Sequence, residues 1–403
     1  MPADDARRVV VTGMGVVSSI GVGSADFTAG LRAGRSGAGP ATAFDATGFP
    51  SDVVCEVADF TPSRWLRALD PADLGRAAQF AAAAARMAVA DTDLAVLRDR
   101  RGLVSIGTTN GESQDVDALT TAEVRGRPLD PVAARRVSSR GIATSVATEL
   151  GLSDVDAYVI GTACSAGNYA IGDGVDALRH GHAEYAVVGG ADAISRKTFA
   201  AFHRLGLIAK DACRPFDRGR KGILTGEGAG VLLLETLASA RARGARIHAE
   251  VLGYGLTCDA DHPVSPSRSG IARCMRSALD DAGVKPEEVG FVSAHGTGTK
   301  LNDRTECEAL RDVYGDAPPP LVGLKSMLGH AMGAASAIAA IACCLALTEG
   351  FIPPTINHRE TDPACEVDCV PNRARVAELD VVQNNGFAFG GDNAVVLFGR
   401  YGR

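Results

Sequence analysis

Apolar residues in this chain come in short unbroken runs, with polar residues gathered between them. "RRVVVTGMG", "GLVSIGTT", "DAYVIGTA", "YAVVGGAD" and "GAGVLLLE" fall in the first part. "HAEVLGYG", "VGFVSAHG", "LVGLKS", "VVQNNGFAF" and "NAVVLFG" fall in the second. Such β-branched runs predict strands buried on both faces of a sheet. Ala-rich stretches with helical spacing separate them, over 74–90, 168–179, 270–281 and 331–347. The last is almost wholly Ala, Ile, Cys and Leu, which predicts a helix enclosed between layers. The alternation predicts an α/β fold. At "SARARGARIH", 239–248, a basic helical segment ends and a new strand begins. The order on either side is similar: a strand carrying "GMG" or "GYG", a helix, then a strand leading to a reactive-looking turn. This predicts an internal duplication with halves 1–245 and 246–403. The segment 110–145, rich in Arg and Ser, reads as an elaborated insertion near a partner surface.

The bulk numbers narrow the classes. A chain of 403 residues exceeds one simple core. Its net charge of −7 gives no general attraction to nucleic acid or anionic lipid, so an acidic partner needs a local basic patch. The 10 cysteines show no C-x-x-C pair, and adjacent Cys343 and Cys344 form no ordinary disulfide. "MPADDARRVVVTGMG" enters a strand without a signal-peptide pattern, and no apolar run reaches the roughly 18 residues of a membrane span. These features predict a reduced, cytosolic protein with no structural metal and no membrane or nucleic-acid partner. "TGMGVVSSIG" fails the G-x-G-x-x-G spacing and has no matching acidic residue, so no nicotinamide cofactor is expected.

Four stretches carry candidate chemistry. "TACSAG" sets Cys164 where a strand passes into a helix. The dipole there favours a thiolate, although a free cysteine is more often inert core, and the local pattern leaves both readings open. "VSAHGTGTKLNDRTE" places His295 after a strand. "VGLKSMLGHAMGAASA" places Lys325 at a strand end and His330 at the mouth of the Ala-rich helix. "NNGFAFGGDNA" is a glycine-rich loop around Phe387 and Phe389. Each alone is commonly structural. Together they sit at carboxyl ends of predicted parallel strands, where open α/β sheets place ligands.

In this order the four stretches resemble the β-ketoacyl-acyl carrier protein synthases, of the elongating, decarboxylating type found in fatty acid and type II polyketide synthesis. The resemblance runs from "VVVTGMGVVSSIG" through "RPFDRGRKGILTGEGAGVLLLE" and "PPTIN" to "GFAFGGDNA". It implies a thiolase-like fold, five layers αβαβα built from two duplicated halves. It implies Cys164 as nucleophile, kept partly as thiolate by the helix start, with the N–H groups of Cys164 and Phe389 as oxyanion hole. His295 and His330 would act as neutral donors to a developing enolate. Lys325 would organise the site with Glu306 as its partner, Asp303 would be structural, and Phe389 with Ala388 would form a gate. Ala388 and Asp392 depart from the family's usual glycine and threonine, which puts acyl selectivity in question. No cofactor is implied beyond the phosphopantetheine arm of an acyl carrier protein. That protein would dock on Arg64, Arg67, Arg127 and Arg204. A dimer is implied, either of two identical chains or with a chain-length-factor-like homologue. "CSAGNYAIG" and "HGTGTKLNDR" look more like specialised polyketide or polyene synthases than housekeeping ones. A thiolase would carry a second cysteine in the glycine-rich loop, an initiating synthase an Asn as third member, and a chain-length factor no nucleophile.

Overall fold

The computed structural model describes residues 7–402. Among the described residues its core is an 11-stranded sheet, ten of whose strands form one path. In chain order these are β1 (Val9–Ser18), β2 (Gly102–Gly107), β3 (Val155–Ile160), β4 (Tyr185–Asp192) and β5 (Gly228–Thr236). Then come β6 (Ala249–Cys258), β7 (Val289–Ser293), β8 (Leu321–Val322), β9 (Val381–Phe387) and β10 (Asp392–Gly399). Every apolar run read as a strand from the sequence is one.

The spatial order is β3-β2-β4-β5-β1 followed by β6-β10-β9-β7-β8. Adding five to each label of the first half gives the second half in mirror order. Directions repeat too. β2 pairs in parallel with β3 and β4, β7 in parallel with β8 and β9, and the remaining pairs are antiparallel. The halves join where β1 meets β6, with Val9 opposite Val251 and Val11 opposite Ala249.

Helices supply the other layers. Helices α1 (Arg76–Ala88) and α2 (Arg140–Leu150) cover the outer face of the first half. After α3 (Ala166–Arg179) and α4 (Arg196–Arg204) come α5 (Arg268–Ala282) and α6 (Lys300–Tyr314), which cover the outer face of the second. Between the halves lie α3 and α7 (Ala335–Glu349), each touching strands of both. The layering is αβαβα. Helix α7 is apolar all round because it is enclosed all round, with Ile338, Ile341, Cys343 and Cys344 at most 1 % exposed.

The two glycine pairs have a shared cause. A Cβ on Gly13 or Gly15 would fall within 2 Å of the carbonyl oxygens of Ala88 or Ala84 in α1. A Cβ on Gly253 or Gly255 would lie 2.4 Å from backbone atoms of α5. "GMG" and "GYG" therefore let an outer helix press directly onto the first strand of each half.

Two expectations change, and a third gains detail. Met332–Glu349 is an 18-residue stretch apolar enough to cross a bilayer, and 83 % of it is buried inside the fold. The segment 110–145, read as an elaborated insertion, is built of the helices Ser113–Val124 and Pro131–Arg136 and the start of α2, whose Ile142 and Val146 join the core. Strand β3 is not enclosed on both faces, since it ends the sheet and leaves Asp156 and Tyr158 exposed.

Candidate active site

The parallel strands deliver their carboxyl ends to one cavity of about 460 Å³, lined by Cys164, His295, His330, Phe387, Ala388 and Phe389 among others. Cys164 follows β3 in the turn Ala163–Ser165 that starts α3. Ala163 adopts φ 47°, a left-handed conformation unusual for a residue with a side chain. This sharp elbow turns the thiol into the cavity.

Burial pushes the Cys164 thiol up to about 11, while Lys325 and the backbone N–H groups of Cys164 and Phe389 pull it down. Desolvation of the charged form thus opposes the thiolate expected at the helix start and outweighs the nearby donors. The same two N–H groups favour negative charge on the sulfur. They are the donors expected to form an oxyanion hole.

His295 stands just beyond β7. Glu306 of α6 accepts the N–H groups of His295 and Gly296, each at 2.8 Å, and the side-chain amide of Asn385 at 3.0 Å. The Lys325 ammonium donates to the His295 carbonyl and lies 3.5 Å from His295 Nδ1. An ammonium has no lone pair, so Nδ1 is the acceptor and the imidazole proton sits on Nε2. His330 Nδ1 accepts the N–H of Met332 at 3.1 Å, which puts its proton on Nε2 as well. The two rings meet edge to face with centroids 5.5 Å apart. Burial and then Lys325 hold both imidazoles well below their usual pKa. The cavity thus holds two neutral rings, each with one N–H to offer.

Lys325 makes no ion pair with Glu306. Its hydrogen bonds go to His295, and Glu306 acts on it only through space while fixing the turn that carries His295. Asp303 is structural. It accepts the N–H groups of Phe216 at 2.9 Å and Gly298 at 3.1 Å, and its Oδ2 lies 3.5 Å from the buried Arg220. Phe389 stacks on Phe202 of α4 at 5.8 Å, and Phe202 lies 6.4 Å from the His330 ring. Ala388 has φ −122° and ψ 156°, extended backbone open to any residue, so its Cβ does not restrain the loop there. The positive φ of the loop falls on Gly390 (88°) and Gly391 (81°), where glycine is kept.

The four candidate docking arginines are exposed but not all at the cavity. Arg204 belongs to α4, whose Phe202 lines it. Arg64 and Arg67 lie on the outer side near the end of α2, where Arg67 N–H donates to Glu149 at 2.7 Å. Arg127 follows the helix Ser113–Val124.

Sequence reading missed Asp192, the fully buried last residue of β4. It accepts from the Thr108 hydroxyl and from the N–H groups of Thr109, Asn110 and Gly333 at 2.7 to 3.0 Å. It ties the end of β2 to the turn before α7. Burial raises its pKa to about 6 against those donors. The one available signal was an acid ending a wholly apolar strand, "VVGGAD". Asn168 and Asn384 were also passed over. The Asn384 amide donates to Asn168 Oδ1 and to the Ser336 carbonyl, both at 2.8 Å, locking α3, α7 and β9 together beneath the cavity.

Residues 6–240 match the family model described as the beta-ketoacyl synthase N-terminal domain, and 248–359 that of the C-terminal domain. A 3-oxoacyl-[acyl-carrier-protein] synthase 2 of Synechocystis sp. is 37 % identical, over 98 % of this chain and 99 % of that protein. A solved structure titled the ishigamide ketosynthase/chain length factor superposes with TM-score 0.97 at 58 % identity, covering 98 % of this chain and all of that one. A type II polyketide synthase acyl carrier protein in complex with its ketosynthase bound to the hexaketide gives TM-score 0.88 at 30 % identity, over 98 % and 99 % of the two chains. With its duplicated sheet and a cysteine facing two neutral imidazoles, the chain belongs to the β-ketoacyl synthase family and is an acyl-transferring condensing enzyme.

Proposed function

We propose that this chain is the catalytic ketosynthase of a type II polyketide pathway with polyene-like chemistry. The observation that carries it is the meeting of Cys164, His295 and His330 in one cavity with Lys325 directly behind His295. In the first step Cys164 sulfur attacks the acyl thioester of a carrier protein. The thioester bond breaks, the acyl group passes to Cys164, and the thiol proton ends on the departing thiol of the phosphopantetheine arm. The N–H groups of Cys164 and Phe389 hold the oxyanion of the tetrahedral intermediate.

A malonyl thioester then replaces the spent carrier. Its C–C bond to the carboxylate breaks and CO2 leaves. The Nε2–H groups of His295 and His330 donate to the thioester oxygen as the enolate forms. The enolate carbon attacks the acyl-Cys164 carbonyl. Collapse expels the Cys164 thiolate, which takes up one proton, and the lengthened ketoacyl chain remains on the second carrier. Lys325 orients His295 and favours the departing thiolate electrostatically. No separate cofactor enters these steps.

Polyketide rather than fatty acid chemistry is supported by the likeness to the ketosynthase of a type II polyketide synthase, alongside the 58 % identity to a chain of the ishigamide ketosynthase/chain length factor structure. The relative at 37 % identity bears a fatty acid synthase type of name, and housekeeping elongation by a homodimer is the second reading. A non-catalytic chain-length factor is disfavoured by Cys164 itself. The outer edge of β3, with Tyr158 40 % exposed, suits pairing with a partner chain. The unpaired cysteines, all buried except Cys258, fit a reducing cytosol. Mass spectrometry of Cys164 after incubation with a panel of acyl carrier protein thioesters tests the reading. Acyl adducts on Cys164 support it, and their absence across the panel rejects it.

A further inference from the structure

Strand β4 ends on Asp192, a side chain with no exposed surface. A carboxylate so placed persists only where donors replace the water it has lost. Asp192 has four, and they converge from two segments. Oδ1 accepts the Thr108 hydroxyl at 2.9 Å and the Asn110 N–H at 3.0 Å. Oδ2 accepts the Thr109 N–H at 2.8 Å and the Gly333 N–H at 2.7 Å. Thr108, Thr109 and Asn110 follow β2, while Gly333 belongs to the turn Met332–Ala334 before α7. That turn also serves His330, whose Nδ1 accepts the Met332 N–H at 3.1 Å. Met332 has φ 48°, a conformation that persists only where its surroundings enforce it. Strand β4 does so through Gly333. Its Asp192 takes the Gly333 N–H, and a Cβ on its Gly190 would lie 2.5 Å from the Gly333 carbonyl oxygen. Asp192 itself is not on the cavity wall.

We infer that Asp192 is a positioning residue for the condensation: through Gly333 it fixes the Met332 N–H, and through that N–H the tautomer and orientation of His330. This rests on the role of His330 proposed above. The connection is short and continuous, from Asp192 Oδ2 to the Gly333 N–H, back one peptide to the Met332 N–H, and on to His330 Nδ1. An imidazole whose Nδ1 is held as acceptor keeps its proton on Nε2, the nitrogen that must donate to the enolate oxygen. The position calls for a carboxylate and not an amide, because all its partners donate. An Asn of the same shape offers one oxygen and turns its NH2 against donors, leaving buried N–H groups unsatisfied. The turn then loses its outer anchor, and the His330 ring loses the fixed N–H that sets its tautomer.

Purified Asp192→Asn tests the inference. Malonyl decarboxylation should fall about 10²-fold, the cost of misplacing a reacting group by about 1 Å. Acylation of Cys164, read by mass, should be nearly unchanged. Alkylation of Cys164 should not slow, because the negative charge of Asp192 opposes the thiolate and the amide removes it. Heteronuclear NMR of histidine-labelled protein reads the tautomer directly, with the His330 signal identified by its loss in His330→Ala. Wild-type His330 should carry its proton on Nε2, and Asp192→Asn should show the Nδ1-protonated form. On a His330→Ala background, Asp192→Asn should cost no further decarboxylation, since it acts through the missing ring. Gly333→Ala disturbs the same bond from its other end and should give the same split, which decides the matter if Asp192→Asn does not fold. An unchanged His330 tautomer in Asp192→Asn, or in Gly333→Ala where that variant decides, overturns the inference. So does equal loss of acylation and decarboxylation, or an undiminished further loss on the His330→Ala background. A shifted tautomer beside a His330→Ala variant that decarboxylates at the wild-type rate would support the hold of Asp192 on the ring and sink the proposed role of His330 alone.

Discussion

Ala163 and Met332 share one rare backbone conformation, φ 47° and φ 48°, at equivalent places in the two halves. Each opens the short turn that leads into a central helix, α3 or α7. The next residue is Cys164 in one half and Gly333 in the other. The duplicated elbow therefore presents a thiol once and a bare backbone once. Gly333 uses that backbone to donate to Asp192 at 2.7 Å, and a Cβ there would sit 2.7 Å from the backbone of Thr108 and Thr109.

Gly333→Ala should therefore destabilise the protein by about 1–3 kcal/mol, since backbone must shift to admit the methyl. Denaturant unfolding measures it. A variant as stable as the wild type would mean that the elbow yields freely.

Alkylation of Cys164 should be slow at neutral pH and climb without a plateau toward about 11. The thiolate is the reactive form, and burial disfavours it at neutral pH. Lys325→Ala removes the cation that lowers this pKa and should slow the reaction further. Peptide-resolved mass spectrometry separates Cys164 from the exposed Cys258. A rate that levels off below pH 9 would contradict the burial argument.

His295→Ala and His330→Ala should each cut malonyl decarboxylation by about 10²–10³, the usual cost of one oxyanion donor. Acyl transfer to Cys164 should change far less, because the enolate arises only in the second half-reaction. Radiolabelled acyl and malonyl donors separate the steps. Equal loss in both would remove these roles.

The contribution of His295 and His330 to stability should fall as pH drops below about 6.5, the ordinary histidine range, against the opposite contribution of buried Asp192. The sign follows from depressed folded-state values: the unfolded chain takes up protons on His295 and His330 while the folded chain stays neutral. Thermal melts of the wild type and His330→Ala should therefore converge as acid is added. Parallel acid slopes for the two proteins would refute the assignment for His330.

Charge reversal at Arg204 should weaken carrier-protein binding more than reversal at Arg64, Arg67 or Arg127, and the loss should shrink in high salt. Only Arg204 rides on the helix that lines the cavity. Equal effects at all four sites would favour a broader docking face.

Periodicity and punctuation along the chain determined the strands, the central apolar helix and the duplication. Those signals are local: a buried strand or an enclosed helix must be apolar within its own few residues, and "GMG" and "GYG" mark where helix meets strand. The sequence also offered Cys164, His295, Lys325 and His330 as candidates, and the resemblance of their order and motifs to the β-ketoacyl synthases gave them roles. What each does to the others was decided by the tertiary structure. Lys325 binds His295 and not Glu306, and Asp192 reaches Gly333, 141 positions away, to tie a strand end to the turn before α7. The elevated thiol of Cys164 likewise follows from how completely distant segments close over it. Hydrogen bonds and desolvation depend on distances of a few ångströms between segments far apart in the chain, and no run of neighbouring residues encodes those.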